Sequence, residues 1–456
     1  MPTGEKSKGV SINMMRLPAI WLGKALTAAG KLMGKKSSSS PGAFALKLCP
    51  NLVSDLNKRI SKKIIVTCGT NGKTTTNNLL CSALEAKGYK VLCNRLGANM
   101  LSGIATAYLQ EADIFGRLKA DYACLEIDEA YTPIVFEQVK PDIMVITNLF
   151  RDQLDRYGEI DITSDIIKRA IEKVPSVKLL LNGDDPLCTQ FGKLSDAKYY
   201  GISEKVLPQT NDTKEGRFCP VCGEEQRYNY YHYSQLGDYY CPKCGFKRPD
   251  IDFDVTNVHL GTEMAFDING QHMTVNYKGF YNIYNLAAVY GVLNILGEGA
   301  ADFDALLAKY KPQIGRMQEF AFKKPVILSL SKNPAGFNQA IATVNGDKRK
   351  KDVIVAINDK ANDGRDVSWL WDVDFDKIKD ENLNMLITTG IRLWDISLRF
   401  KYADINVDMI THDMRAAVKN ALASDSEAVY VLVNYTALYP TESVLNELLK
   451  NDGNGD

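Results

Sequence analysis

Between residue 63 and about residue 200, short apolar runs alternate with segments of helical periodicity. KIIVTC (63–68), KVLCN (90–94), YACLEI (122–127), IMVIT (143–147) and KLLLN (178–182) are rich in β-branched residues, and stretches such as TTTNNLLCSALEAKG separate them. Strands and helices in turn predict βαβ units and a mostly parallel sheet. Residues 205–250 break the rhythm with four cysteines and a Tyr-rich stretch, which marks an insertion. Alternation returns at 251–277, and a helix is expected at about 282–296. A second α/β series (VILSL, DVIVAI, MLITTG, VYVLV) begins after KPQIGRMQEF (311–320). The fold class read from this pattern is α/β, with a central domain over 46–312 and a smaller α/β C-terminal domain over 313–456.

Residues 1–45 form a separate arm. The segment RLPAIWLGKALTAAGKLMGKK (16–36) carries five basic residues and no acidic one, and SSSSPG follows as a joint. Leu22, Ala25, Leu26, Ala29 and Leu32 recur at helical spacing. Such a helix packs on its own body or a partner, or lies on an anionic membrane surface.

Charge narrows the classes. Lys+Arg and Asp+Glu are 55 each over 456 residues, a zero net charge that argues against a nucleic-acid partner. With 45% hydrophobic residues the chain has a core to bury, and general disorder is excluded. No apolar stretch approaches the roughly 20 residues of a bilayer span, and Lys24 interrupts the only signal-like segment, so a cytoplasmic location is expected. Six of the ten cysteines are scattered singly, which fits a reducing compartment. The other four form two Cys-x-x-Cys pairs, Cys219/Cys222 and Cys241/Cys244, with the spacing of a structural zinc ribbon.

The chemistry-bearing string is Gly69-Thr70-Asn71-Gly72-Lys73-Thr74-Thr75, placed after a strand and opening a helix. Backbone N–H groups of such a loop, with the helix N-terminus, cradle phosphates. Lys73 is expected on the β- and γ-phosphates of ATP and Thr74 on Mg²⁺. Thr67 stands where the usual pattern has its first glycine.

This shortened loop resembles that of the muramyl ligases and of folylpolyglutamate synthases. Five further segments continue the resemblance in order. CLEID carries Glu126 at the family's Mg²⁺-binding glutamate, and TNLFRDQLDRYGEID (147–161) has Gln153 in place of the usual His. LLLNGDDP (179–186) matches an N-x-D-D segment. In GFYNIYNLAAVYGVL the resemblance implies that Asn282 and Asn285 contact adenine, and in Gly315-Arg316-Met317 that Arg316 reaches the nucleotide phosphates.

Two departures narrow the resemblance. The D-x-A-H-N-P of amino-acid-adding members is replaced by Ser329-Leu330-Ser331-Lys332-Asn333-Pro334, and zinc-type cysteines interrupt the central domain. That combination is similar to the MurT family, ligase-like subunits of lipid II isoglutaminyl synthase. The resemblance implies amidation of the D-glutamate α-carboxyl of the lipid II stem peptide through an acyl phosphate. None of the four histidines follows a glutaminase pattern, so ammonia is expected from a separate glutaminase subunit, GatD in this family. Asp366, in Asp363-Gly364-Arg365-Asp366, is then implied to orient that partner's catalytic histidine, with Asp363 as the fallback. Read from the residues alone, Asp366 is a solvated acid or a helix cap before SWLWD. An amino-acid-adding ligase and an ATP-sensing scaffold are the alternatives. A substrate anchored in the inner leaflet makes contact of the basic arm with the membrane's inner face an expectation too.

Overall fold

The computed structural model describes residues 15–33, 38–95, 98–151, 160–207, 216–261, 263–275, 279–300, 303–307 and 314–452. The expected boundary at 312–313 and Gln153 lie outside these residues, as do residues 208–215 of the expected insertion. The apolar runs become strands: β1 (Ile60–Cys68), β2 (Val91–Cys93), β3 (Ala120–Glu126), β4 (Ile143–Ile146), β5 (Lys178–Asn182) and β6 (Ala197–Ile202). A hairpin of β7 (Arg227–Tyr233) and β8 (Leu236–Tyr240) precedes β9 (Phe253–Leu260), β10 (Met264–Ile268) and β11 (Gln271–Val275).

The central sheet has the order β11-β10-β9-β6-β5-β4-β1-β3-β2. It is parallel from β2 to β9 and antiparallel across β9, β10 and β11. Val66 of β1 lies opposite Leu125 of β3 and Met144 of β4. Ile65, Val145 and Leu180 face one apolar core, and Val66, Met144 and Leu181 face the other. Both faces are covered, so these strands read as unbroken apolar runs rather than alternating ones. From β1 the chain builds β3 and β2 on one side and β4, β5 and β6 on the other. The crevice beyond the carboxyl end of β1 is thus a switch point, where open α/β sheets bind ligands.

The C-terminal sheet contains β12 (Gln318–Ala321), β13 (Pro325–Leu330), β14 (Lys351–Ala356), β15 (Leu383–Thr389), β16 (Met409–Ile410) and β17 (Ala428–Val433), in the order β12-β13-β17-β14-β15-β16. It is parallel except at β12.

The helices that flank the site and its surroundings are α1 (Arg16–Leu32), α2 (Ser40–Leu48), α3 (Lys73–Ala86), α4 (Leu101–Glu111), α5 (Tyr281–Ile295), α6 (Pro334–Gly346), α7 (Leu393–Tyr402) and α8 (Tyr435–Asp452). The basic N-terminal segment is helical as expected and packs on α2 and α4. Its buried edge is not the expected stripe. Ala19, Ile20, Gly23 and Gly30 face inward, whereas Ala25, Ala29 and Leu32 are exposed and Leu22 and Leu26 are half-buried. Small residues help set the face: a Cβ at Gly23 would lie 2.5 Å from Leu109 Cδ1, so the glycine lets α1 approach α4 without displacing that leucine.

Candidate functional site

The loop after β1 is fixed by two glycines and by the end of β4. Gly69 and Gly72 have φ of +122° and +85°, the left-handed region that glycine enters without a Cβ penalty. A Cβ at Gly69 would lie 2.3 Å from Thr147 Oγ1, and one at Gly72 would lie 2.2 Å from Asn285 Oδ1. Thr70 N donates to the Asn148 carbonyl (2.8 Å) and Asn71 N to Asn148 Oδ1 (2.8 Å). Thr147 Oγ1 and Asn148 Nδ2 donate to the Asn71 carbonyl at 2.7 and 3.1 Å. These contacts leave the first turn of α3, from Lys73 onward, to present N–H groups that have no partner within the helix.

Lys73 is buried. Its Nζ donates to Glu129 Oε1 at 2.9 Å and to the Gly69 carbonyl. Burial works against the ammonium, but Glu129, Asp128 and Glu126 outweigh it and hold Lys73 protonated well above the ordinary lysine range. Burial pushes the Glu129 carboxyl up, against the pull of Lys73. Glu126 ends β3; Asn94 pins its backbone (2.9 and 2.8 Å), and Asn99 Nδ2 donates to Oε1 (3.2 Å). Thr74, Glu126 and Asp128 line one cavity with Lys73. Their hard oxygen donors beside a phosphate cradle fit Mg²⁺, which is held through carboxylates and substrate phosphates.

The cavity, about 650 Å³, lies between the two sheets' domains. Its far wall is Ser329 to Lys332 at the end of β13, with Arg316 beside it. The two walls meet at a reciprocal amide pair. Asn71 Nδ2 donates to Asn333 Oδ1 (3.3 Å) and Asn333 Nδ2 to Asn71 Oδ1 (3.1 Å), while Asn333 Oδ1 also caps α6 through Gly336 N (2.9 Å).

The predicted residues are not all equivalent. Asn285 lines the cavity and takes a hydrogen bond from Thr76 Oγ1 (3.3 Å); Asn282 stands behind it, accepting from Asn285 Nδ2 (3.1 Å). Asp366 is exposed on the C-terminal domain and accepts from Ser368 N (2.8 Å) and Oγ (3.0 Å), which pulls its pKa down. The fallback, Asp363, is buried and spent on Thr436 at the start of α8. Asp128, Glu129, Asn148 and Asn333 were not singled out from the sequence. For Asp128 and Glu129 the signal was present, since both sit inside the acidic string after β3.

The four cysteine sulfurs lie within 4.8 Å of one another, with Cys219–Cys244 and Cys222–Cys241 Sγ separations of 3.6 and 3.5 Å. A tetrahedral site with Zn–S of about 2.3 Å has S···S edges of about 3.8 Å, so the set fits zinc. The insertion is anchored at Asp184 of the N-x-D-D segment. Its carboxylate accepts from Arg248 Nε (2.7 Å) and Ile202 N (2.9 Å), and the Tyr284 hydroxyl lies 2.7 Å from both Asp184 Oδ2 and His232 Nδ1. Tyr233 of β7 also lines the cavity, so the insertion reaches the site itself.

Comparison with known proteins agrees over most of the chain. Residues 66–293 match the Mur ligase middle domain and residues 330–438 the MurT ligase C-terminal domain. The chain is 35% identical over 437 residues to the MurT subunit of lipid II isoglutaminyl synthase (glutamine-hydrolyzing) of Staphylococcus aureus strain COL, covering 95% of this chain and 98% of that one. It is 34% identical to the Streptococcus pneumoniae subunit of the same description, covering 92% and 97%. Among solved structures, a pseudomurein peptide ligase type C from Methanothermus fervidus superposes with a TM-score of 0.67 at 23% identity over 90% of this chain and 86% of that one. A MurF ligase from Thermotoga maritima in complex with ADP superposes at 0.64 and 15%, over 89% and 84%. These two show a shared fold.

Proposed function

The chain belongs to the MurT family of Mur-type ligases, and from that premise we propose that it is the ATP-consuming subunit of a lipid II isoglutaminyl synthase. It amidates the D-glutamate α-carboxyl of the lipid II stem peptide to D-isoglutamine, in peptidoglycan synthesis. The observation that carries the reading is the cavity, where a phosphate cradle faces a wall without the Asp and His of amino-acid-adding ligases.

A carboxylate is a poor electrophile and must first be activated. The N-terminus of α3 and Lys73 bind and orient the ATP phosphates, and the fixed amides around Asn148 keep that geometry from relaxing. Thr74 and Glu126 would hold Mg²⁺, with Asp128 beside them; the ion supplies charge neutralisation on the phosphoryl group. Asn285 and Arg316 complete the nucleotide site, Asn282 bracing Asn285. Ammonia displaces phosphate from the acyl phosphate.

The source of ammonia is a partner. His232 is bound to Tyr284 and Glu204, His272 to Asp267, His412 to the Gly390 carbonyl, and His259 is exposed on β9, so none is paired with a cysteine as a glutaminase requires. A glutaminase subunit of the GatD kind docks on the C-terminal domain. Supporting this, Asp366 is exposed with its carboxylate oriented by Ser368, and Trp371 shortly after it stacks edge-on with Tyr402. Tyr402, Trp394 and Leu398 form an exposed apolar stripe along α7. Asp366 orients the partner's histidine. Zinc in the four-cysteine site holds the insertion against Asp184 and α5. No described helix is long and apolar enough to cross a membrane; the chain meets the inner membrane face through α1.

The test is mass spectrometry of lipid II after incubation with the chain, MgATP and ammonium. A product in which one acid has become an amide is expected. A product heavier by an amino-acid residue, when amino acids are supplied, reassigns the chain to the adding ligases, and intact ATP with unaltered lipid II reassigns it to an ATP-sensing scaffold.

A further inference from the structure

Lys332 is held at the cavity from both sides. Upstream, Leu330 N donates to the Gly315 carbonyl (2.7 Å) and Ser331 N to the Val433 carbonyl (2.8 Å). Downstream, Asn333 is buried, caps α6 and is paired amide to amide with Asn71 of the phosphate loop. The side chain between these fixed points lines the cavity on the wall opposite Lys73. Its charge is felt at Glu129, the carboxylate bonded to Lys73, and works there against the effect of burial. Two lysines thus stand on opposite walls of one cavity, and only Lys73 belongs to the phosphate loop.

The reaction brings two anions together, the acceptor carboxylate and the γ-phosphoryl group. A carboxylate oxygen forms a bond to the γ-phosphorus while the bond from that phosphorus to the β–γ bridging oxygen breaks, and ADP leaves with the electron pair. Ammonia then forms the C–N bond, phosphate leaves with the C–O pair, and the surplus proton goes to phosphate or solvent. Lys73 and the α3 N-terminus serve the phosphate side, which leaves the attacking carboxylate needing a cation of its own. We propose that Lys332 is the binding residue for the acceptor carboxylate, holding it against the γ-phosphoryl group through the attack. The proposal rests on the ligase reading and deepens it.

The test compares the wild type with Lys332→Gln and Lys332→Arg in complex with the glutaminase subunit. ADP formation is titrated with lipid II in detergent micelles, and MgATP affinity is measured separately. Expected for Lys332→Gln is a rise in KM for lipid II of roughly 10- to 100-fold, the loss of one charge-assisted hydrogen bond. MgATP affinity and glutamine hydrolysis should stay within about threefold, and Lys332→Arg should recover most of the loss, as retention of a cation predicts. An unchanged KM for lipid II, or MgATP affinity falling in step with turnover, overturns the assignment. Lipid II-dependent ADP without amide in the wild type counts against the proposed function alone, because activation of the carboxylate precedes the nitrogen donor. No lipid II-dependent ADP in the wild type overturns both.

Discussion

Gly69, Gly72 and Lys73 could be assigned from the sequence because a phosphate loop is a local device. Its turn demands glycine at left-handed φ, and its lysine follows at fixed spacing. Glu129 and Lys332 could not, because their roles depend on residues 56 positions away or in the other domain. Nothing in CLEIDEAY alone ranks Glu126, Asp128 and Glu129; only the fold puts one on Lys73 and leaves the others lining the cavity. The cysteines are the opposite case, since the spacing of two pairs already specifies a tetrahedral set. Metal analysis of the purified chain should therefore find one zinc, and none in a Cys219→Ser, Cys222→Ser variant. The central sheet, whose core excludes these four residues' sulfurs from its two apolar faces, should remain folded by circular dichroism. Absence of zinc from the wild type, or full retention in the variant, would sink the assignment.

At the scale of elements, the parallel strands were the most legible part of the chain. Burial on both faces imposes continuous apolar runs, and those runs end within a few residues of the observed strands. The orientation of α1 was not legible, because its inward edge combines Ala19 and Ile20 with a close approach of Gly23 to Leu109, while Leu22, Leu26 and Leu32 stay partly or fully exposed. One consequence concerns the membrane. Trp21 is 53% exposed and donates from Nε1 to the Ile114 carbonyl (2.8 Å), and Ile114 and Phe115 project beside it. Arg16, Lys24 and Lys31 lie on the same helix, which carries no acid. Deleting the arm would strip Ala19 and Ile20 from the core, so the contact is better tested by substitution. Trp21→Ser with Phe115→Ser should reduce binding to phosphatidylglycerol vesicles roughly tenfold or more, as expected for two large apolar side chains. Turnover of bilayer-embedded lipid II should fall with it, and turnover of a soluble stem-peptide analogue should not. Equal losses on both substrates would contradict membrane docking.

For the whole molecule, the proposed function separates two tasks. The cavity is bridged by the Asn71–Asn333 pair between domains, whereas Asp366 is exposed on the C-terminal domain, within reach of the Arg151 charge. Under the proposed function, carboxylate activation belongs to the cavity and ammonia supply to the surface around Asp366, which a partner would share. The sequence pointed to this division through the missing Asp and His of the adding ligases, the lack of a glutaminase pattern and the resemblance at Asp366. The resemblance already ranked Asp366 first and Asp363 as the fallback; the fold adds that Asp366 is exposed and held by Ser368, whereas Asp363 is buried on Thr436. The most direct measurement is the amidation rate of Asp366→Asn in complex with the glutaminase subunit, with glutamine and then with ammonium as nitrogen source. The account predicts that glutamine-driven amidation falls about 10⁴-fold, as it does when the acid of a catalytic triad is replaced by its amide, while ammonium-driven amidation stays near the wild-type rate. Equal loss with both sources, or no loss with glutamine, would contradict it.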